Sequence, residues 1–532
     1  MYDDGVGIVP APFWYHRDFI PVACKAVKEA SGKIRNLGFC QQRIWNVAKI
    51  SRNTGELEMI PLVSALQNLP NLRHDGHESC TPAFCEFATL NFTSVTQLHK
   101  CPDPKSCVTT TDKMFNQSLL AAALESEMMT TAWTLDGMYP AAPLSCYFAV
   151  SHVWSDGTGA GAWQAGKVNK CLWDFFSEKA QSLGCDGVWW DTVCIPQDKA
   201  ARSIALNRMH RNYSAAECTL VHDLYLAGTE WKKDGSPCIA LVLSPWFTRG
   251  WTALELLLSK RVFIIFREGG RYTLKNLDEL LAGHRFLDSR AHWIATHAVE
   301  CLRTYGQRNF GEGASRVLSI LQGRYTSWSR DQSIIAGLMC GLTDHAGLSE
   351  QDITKRIILR IGKIRQNCLL HSLPTMSEPQ LSWCPPRFVD IPAASEDSLL
   401  LSINADGTLY GLWEIWYIPS KIYVDRGMIW PLSTDSCMQT QVRWALQEPE
   451  KCVILTFDTF DSQGLLVRLK AYNDRPQEDI LYCKYIGGVG VSPSEIRKPR
   501  FHIRRRVVIG YLPGMVDVRV VDLGAEQQSL QR

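Results

Sequence analysis

An α/β fold with a five-stranded parallel sheet in the centre, a helical segment after it and a β-rich C-terminal module is what this sequence predicts. Three observations carry that expectation. Between residues 147 and 270, short and almost wholly apolar runs alternate with amphipathic ones, the pattern of strands covered on both faces by helices. From about 275 to 370, apolar residues recur at three- and four-residue spacing. Beyond 398 the apolar runs are short, alternating and separated by turn residues.

Taken in order, residues 1–140 read as an irregular, partly helical region with a Cys/His-rich patch, "HDGHESCTPAFCEFATLNFTSVTQLHKCPDPKSC", at 74–107. Residues 141–270 hold the candidate strands "YFAVSHVW" (147–154), "GVWWDTVCI" (187–195), "CTLVHDLYL" (218–226), "CIALVLS" (238–244) and "RVFIIF" (261–266). Between them "VNKCLWDFFSEKAQSLG" and "KAARSIALNRMHRNYSAA" have helical periodicity. Residues 271–371 form the helical segment, and the proline- and serine-rich stretch 372–397 reads as a linker. Residues 398–532 form the β-rich module, with runs such as "KCVILTFDTF" and "GLLVRLKAY".

Composition narrows the function classes. A length of 532 residues calls for several domains, and 46% hydrophobic with 21% charged residues describes a folded chain. A net charge of +2 gives no reason to expect nucleic acid as a partner. The local exception, "RKPRFHIRRR" (497–506), reads as a solvated strand face rather than a phosphate-binding patch. No apolar run approaches the ~18 residues of a membrane span. The N-terminus lacks the pattern of a signal peptide, so the expected location is cytoplasmic and the 19 cysteines are expected as reduced thiols.

In an open α/β sheet, ligands sit outside the carboxyl ends of the strands. Those ends would deliver Ser151, Trp154 and Asp156 after the first strand, Asp191 after the second, and Ser244, Arg249 and Trp251 after the fourth. The helix that follows carries Glu255 among leucines. This set suits a polar ligand with a stackable ring. Simpler readings stand beside it. "DGTGAG" lacks the dinucleotide-binding spacing and reads as a surface loop, Asp191 as a turn cap, and His152 as a hydrogen-bonded core histidine. Glu255 alternatively pairs with Arg249 or Lys260.

The blocks "YFAVSHVWSD", "VWWDTVCIPQD", "RMHRNYSAAECTLV" and "SPWFTRGWTALELLLSKRV" resemble, in order and spacing, those of the heterokaryon incompatibility (HET) domain of filamentous fungi. His152, Ser155 and Pro196 depart from the family's usual tyrosine, glycine and asparagine. The HET domain is in turn similar to the Toll/interleukin-1 receptor (TIR) fold, a flavodoxin-like five-stranded parallel sheet whose active members cleave NAD. The resemblance implies a cell-death effector of fungal innate immunity acting as an NAD nucleosidase (NADase), with NAD as substrate and Glu255, four residues after Trp251, as the catalytic acid. It also implies homo-oligomerisation on activation and an unidentified protein partner. The alternative is a non-enzymatic, oligomerising signalling scaffold.

In the Cys/His patch, His77, Cys80, Cys85, His99, Cys101 and Cys107 supply soft ligands for one structural zinc, although no paired C-x-x-C is present. A cluster of reduced thiols is the other reading.

Overall fold

The computed structural model describes residues 19–520 apart from 51–58, 70–76, 86–94, 126–130, 141–145, 160–166, 285–289, 304–312, 394–397, 419–423, 473–479, 493–501 and a few shorter gaps. Three helices open it, α1 (Phe19–Asn36), α2 (Gln41–Ile50) and α3 (Met59–Leu66), followed by α4 (Gln117–Glu125). Val27, Ala30 and Ile34 recur at three- and four-residue spacing on α1 and are buried.

The central sheet has six strands in the order β1–β3–β2–β4–β5–β6. They are β1 (Trp133–Thr134), β2 (Tyr147–His152), β3 (Gly187–Trp189), β4 (Cys218–His222), β5 (Val262–Glu268) and β6 (Arg271–Asn276). β2, β3, β4 and β5 pair in parallel. β1 and β6 pair antiparallel at the two edges. The sheet is therefore mixed, which corrects the expectation of five parallel strands. All six residues of β2 are buried, as suits its central place. In β5 the alternation puts Ile264 into one core and Ile265 into the other, so the sheet separates two apolar layers.

The missing fifth parallel strand is the run 238–244. It forms a helix instead, as the connections show: α5 (Lys170–Ser182), α6 (Asp191–Cys194), α7 (Lys199–Ala215), α8 (Leu224–Gly228), α9 (Ser236–Leu243) and α10 (Gly250–Leu258). Every residue of α9 is buried, so no polar face marks its period. A short run that is apolar all round fits a buried helix and a buried strand equally well. Pro237 in the first turn and the Asp234–Ser236 hydrogen bond before it favour the helical start. The second and third expected strands are shorter than the apolar runs. After β3, Asp191 begins α6, and after β4, Asp223 caps α8 by accepting from the Leu226 amide at 3.1 Å.

The helical segment holds α11 (Leu277–His284), α12 (Arg290–Arg303), α13 (Gly313–Gln322), α14 (Ser329–Met339) and α15 (Glu350–Ile361). A Ser349–Asp352 capping box opens α15, and Gly362, at φ 66°, closes it. The stretch 372–397 is not loose where it is described: Leu381, Trp383, Cys384, Phe388 and Ile391 are buried.

The C-terminal module is barrel-like. β9 (Leu409–Tyr417), β11 (Cys452–Phe457), β12 (Phe460–Ala471), β13 (Ile480–Val491) and β14 (His502–Ile509) pair around a closed ring, because β14 joins β13 in parallel and β9 antiparallel. Closure removes free strand edges. Val453 and Leu455 face the main core, while Cys452 and Ile454 face the layer under the helix Ser436–Ala445. In β14 Arg504 pairs with Glu414 at 3.1 Å across the ladder, on the solvated side; residues 497–501 of the basic run lie outside the described residues.

The main core runs without a break from α1–α3 through α9, α12 and α14 into the barrel. Leu241, fully buried in α9, lies at its centre. Leu241→Ala is expected to lower stability by about 2–5 kcal/mol, through lost burial plus a cavity. A shift of the denaturation midpoint, read by far-ultraviolet circular dichroism, checks this.

Candidate functional site

The site lies at the carboxyl ends of β2, β3 and β4, and two polar groups occupy opposite faces of β2. Neighbouring strand residues point to opposite sides, so Ser151 and His152 enter different environments. On one side Ser151 donates to Glu255 Oε2 of α10 and accepts from the Trp246 indole at 2.6 Å. On the other, His152 Nε2 lies 2.6 Å from Asp191 Oδ1, and Trp154 donates to Asp191 Oδ2 at 3.1 Å. The second ring nitrogen of His152 is 3.1 Å from the Val153 carbonyl. Asp191 and the Val153 carbonyl thus offer acceptors to the two ring nitrogens, while the Trp190 indole donates toward Nε2 at 3.1 Å.

Electrostatics follow from burial. Desolvation pushes the Glu255 carboxyl up to about 7, against the Ser151 hydrogen bond and with the help of the Asp191 charge. For His152, burial opposes the charged form, but the adjacent Asp191 carboxylate overrides it and holds the imidazole at about 9. Burial likewise works against the Asp191 anion, and the His152 cation holds it below the usual carboxylate range. Asp223 is raised to about 7 by burial and by the nearby Asp156. Asp191 and His152 thus form an ion pair, whereas Glu255 is poised between its two protonation states near neutrality. A carboxyl of that kind can serve as acid, base or electrostatic stabiliser.

Of the residues expected at the strand ends, Ser151 reaches Glu255 directly, while Asp191, paired with His152 on the other face of β2, acts on Glu255 through its charge. Arg249 joins them electrostatically: burial lowers its pKa, and Tyr325, Glu255, Asp331 and Asp191 offset that. Trp154 stays beside Asp191. Asp156 holds its own loop, accepting from the Thr158 amide at 2.9 Å and the Leu224 amide at 3.0 Å. Two expected residues turn elsewhere. The Ser244 hydroxyl donates to the Leu241 carbonyl at 2.7 Å and accepts from the Phe247 amide at 3.2 Å, so it builds a turn. Trp251 donates to Asp331 of α14 at 2.9 Å. The helical spacing thus directs Glu255 inward to β2 while Trp251 is claimed by the next layer.

His152, which the sequence suggested as a core histidine, is buried and hydrogen-bonded, and against the effect of burial the Asp191 carboxylate beside it raises its pKa to about 9. Four contributors were missed. Trp246 orients Ser151, Tyr213 donates to the Val150 carbonyl at 3.0 Å close to Glu255, and Asp223 accepts from the Trp246 amide at 2.9 Å. Arg324 donates to the Arg249 carbonyl at 2.9 Å and to Thr252 at 3.3 Å, fixing the start of α10. Arg324 lies downstream of the quoted blocks, in a loop that no strand-end argument reaches.

The Cys/His patch divides. His77, Cys80 and Cys85 gather with Cys40, and His99, Cys101 and Cys107 gather with Cys171. A small cavity is a separate feature, lined by residues that include Phe247, Leu302, Arg316 and Arg324. Among the described residues, no helix is long and apolar enough to cross a membrane.

Residues 147–224 match the family described as Heterokaryon incompatibility protein (HET). Comparison with curated proteins and with solved structures yields no match. The matched segment holds β2, β3, β4 and the residues Ser151, His152 and Asp191, and it stops short of Glu255. A HET segment points to a function of the heterokaryon-incompatibility, cell-death type.

The pH dependence of stability tests the ion pair. His152 has a folded pKa of about 9, above its ordinary 6.5, so its contribution is full below pH 6.5 and is lost as pH rises through 9. Asp191→Asn removes the charge that holds it. The variant is expected to lose stability on the order of 1 kcal/mol or more at pH 6. It should also show a flatter thermal midpoint between pH 6.5 and 9 than the parent. Thermal melts across that range check the slope.

Proposed function

From a chain whose residues 147–224 match the heterokaryon incompatibility family, we propose a cell-death effector that cleaves NAD at the nicotinamide–ribose bond, with Glu255 as the catalytic carboxylate. The observation that carries this reading is the Glu255 carboxyl, buried at the carboxyl edge of parallel strands, oriented by Ser151 and titrating at about 7.

In the reaction the ribose C1′–nitrogen bond breaks and nicotinamide leaves as a neutral amide with the bonding electron pair. Water adds to the ribosyl cation and gives up a proton. An ionised Glu255 stabilises the cation and can receive that proton or hold a ribose hydroxyl. Ser151 and Trp246 keep the carboxylate in one orientation. Arg249 supplies positive charge for the diphosphate, and Trp154, beside the partly exposed Asp191, offers a ring for stacking. Ser244 and Trp251 have no part in this scheme, since their polar groups serve a turn and α14.

Glu255 is 7% exposed, so NAD reaches it only after the cluster opens. Assembly of several copies is the activating step this reading calls for. The same burial favours a second reading, in which Ser151–Glu255 is a lock inside a non-enzymatic signalling scaffold.

Release of nicotinamide from NAD by purified, concentrated protein separates the two. Under the enzyme reading Glu255→Gln cuts turnover by about two to three orders of magnitude. Intact NAD binds nearly as well, because the lost interaction is strongest in the transition state. The parent's kcat/KM should rise with pH through about 7 as Glu255 ionises. A folded Gln variant that kills cells as well as the parent, with no nicotinamide released by either, leaves the scaffold.

A further inference from the structure

We propose that the N-terminal region binds two structural zinc ions, one in a Cys40–His77–Cys80–Cys85 site and one in a His99–Cys101–Cys107–Cys171 site. In each set the four donor atoms lie within 4.8 Å of one another. Each set draws three ligands from one short segment and a fourth from a distant helix start. Cys40 precedes α2 directly, and Cys171 lies in the first turn of α5.

The distances fit a metal tetrahedron. With Zn–S of ~2.3 Å and Zn–N of ~2.0 Å, the tetrahedral edge is about 3.8 Å between sulfurs and about 3.5 Å between sulfur and nitrogen. In the first site His77 Nδ1 lies 3.6 Å from Cys85 Sγ and 3.1 Å from Cys80 Sγ. In the second, His99 Nδ1 lies 3.8 Å from both Cys101 Sγ and Cys171 Sγ. Three sulfurs and one imidazole form a closed set for zinc, which takes four soft or borderline ligands without geometric demand.

Two further observations set these groups apart from ordinary buried thiols. Cys40, Cys80 and Cys85 are 3% exposed or less, yet they form a cluster of their own rather than joining an apolar core. With three thiols in each group, a disulfide would always leave one sulfur over. In the second site the surroundings are those of a ligated thiolate. The Lys100 amide donates to Cys171 Sγ at 3.2 Å, and the Asn169 amide group lies 3.2 Å from the other His99 nitrogen.

The second ion has a structural consequence. The segment that carries its ligands is bonded to the start of α5 through Thr110 and Val168 at 2.8 Å and through Lys170 and Val108 at 3.0 Å. It also touches the loop that follows Trp154, where the Leu98 amide donates to the Gly157 carbonyl at 3.0 Å. Gly157 sits at φ 85°, and a Cβ there would meet the Thr96 carbonyl oxygen at 2.5 Å, so the approach requires glycine. Zinc at this site therefore clamps a strap against the loop that borders the His152–Asp191 pair.

The full chain, purified reduced and without chelator, should contain two equivalents of zinc by elemental analysis. Cys85→Ser and Cys171→Ser should each contain one, whereas Cys437→Ser, at an exposed cysteine outside both groups, should keep two. Cobalt(II) added to the metal-stripped parent should give the thiolate charge-transfer and visible bands of tetrahedral sites, with saturation at two equivalents. This readout needs no variant to fold. Saturation at one equivalent or none, or a Cys171→Ser protein that still holds two zinc ions, overturns the two-site assignment.

Discussion

The hydrogen bond from Ser151 to Glu255 joins the central strand of the sheet to the helix on which the next layers are built. A carboxyl group in that position is costly to bury, and only dedicated partners make it tolerable. Ser151 of β2 supplies the direct hydrogen bond, and Trp246, in the turn before α10, fixes Ser151 by donating to it. α10 in turn packs against α7, α12, α13 and α14, so its orientation passes into the whole helical segment. Arg324, between α13 and α14, returns to the beginning of α10 through the Arg249 carbonyl and closes the loop of constraints.

Tryptophan is the main device for holding these polar groups in a dry interior. Each large ring fills the core, and its single N–H needs one acceptor. Trp246 finds Ser151, Trp154 finds Asp191 and Trp251 finds Asp331. Others bond backbone carbonyls: Trp133 reaches Val193 at 3.0 Å, and Trp173 reaches Leu135 at 3.0 Å. The indole donors thereby tie strands, turns and helices together at the places where charge is buried. The same rigidity keeps Glu255 covered, which is why access to it and catalysis by it are separate questions.

The parts flanking the sheet are not independent of it. α2 and α3 pack on α12, and α2 also packs on α9. The core they share extends to the inner face of the barrel, where Leu455, Leu465 and Val507 continue it. A disturbance in the N-terminal helices or the barrel can therefore reach the α9–α10 region through packing alone, without a dedicated pathway.

Much of the layout was legible in the sequence because it depends on local periodicity. Alternation marked β9, β11 and β12, helical spacing marked α13 and α14, and apolar runs marked β2 and β5. Ser151 near the end of β2 and Asp191 at the start of α6 were legible as strand-end positions, whereas the bond from Ser151 to Glu255 within α10 was not. Local pattern did not separate α9 from a strand, since a run buried on every side has no period to read. Nor did it pair Cys40 with His77, or Cys171 with His99, because those partners lie far apart in the chain. Ser244 and Trp251 had suitable chemistry at suitable positions, yet a turn and Asp331 took their hydrogen bonds. Residue type and spacing by themselves determined most of the elements, those with a readable period, and the candidates for the sheet edge. Only the tertiary structure decided which of those side chains share a buried environment, because hydrogen bonds and desolvation depend on distances that chain separation does not set.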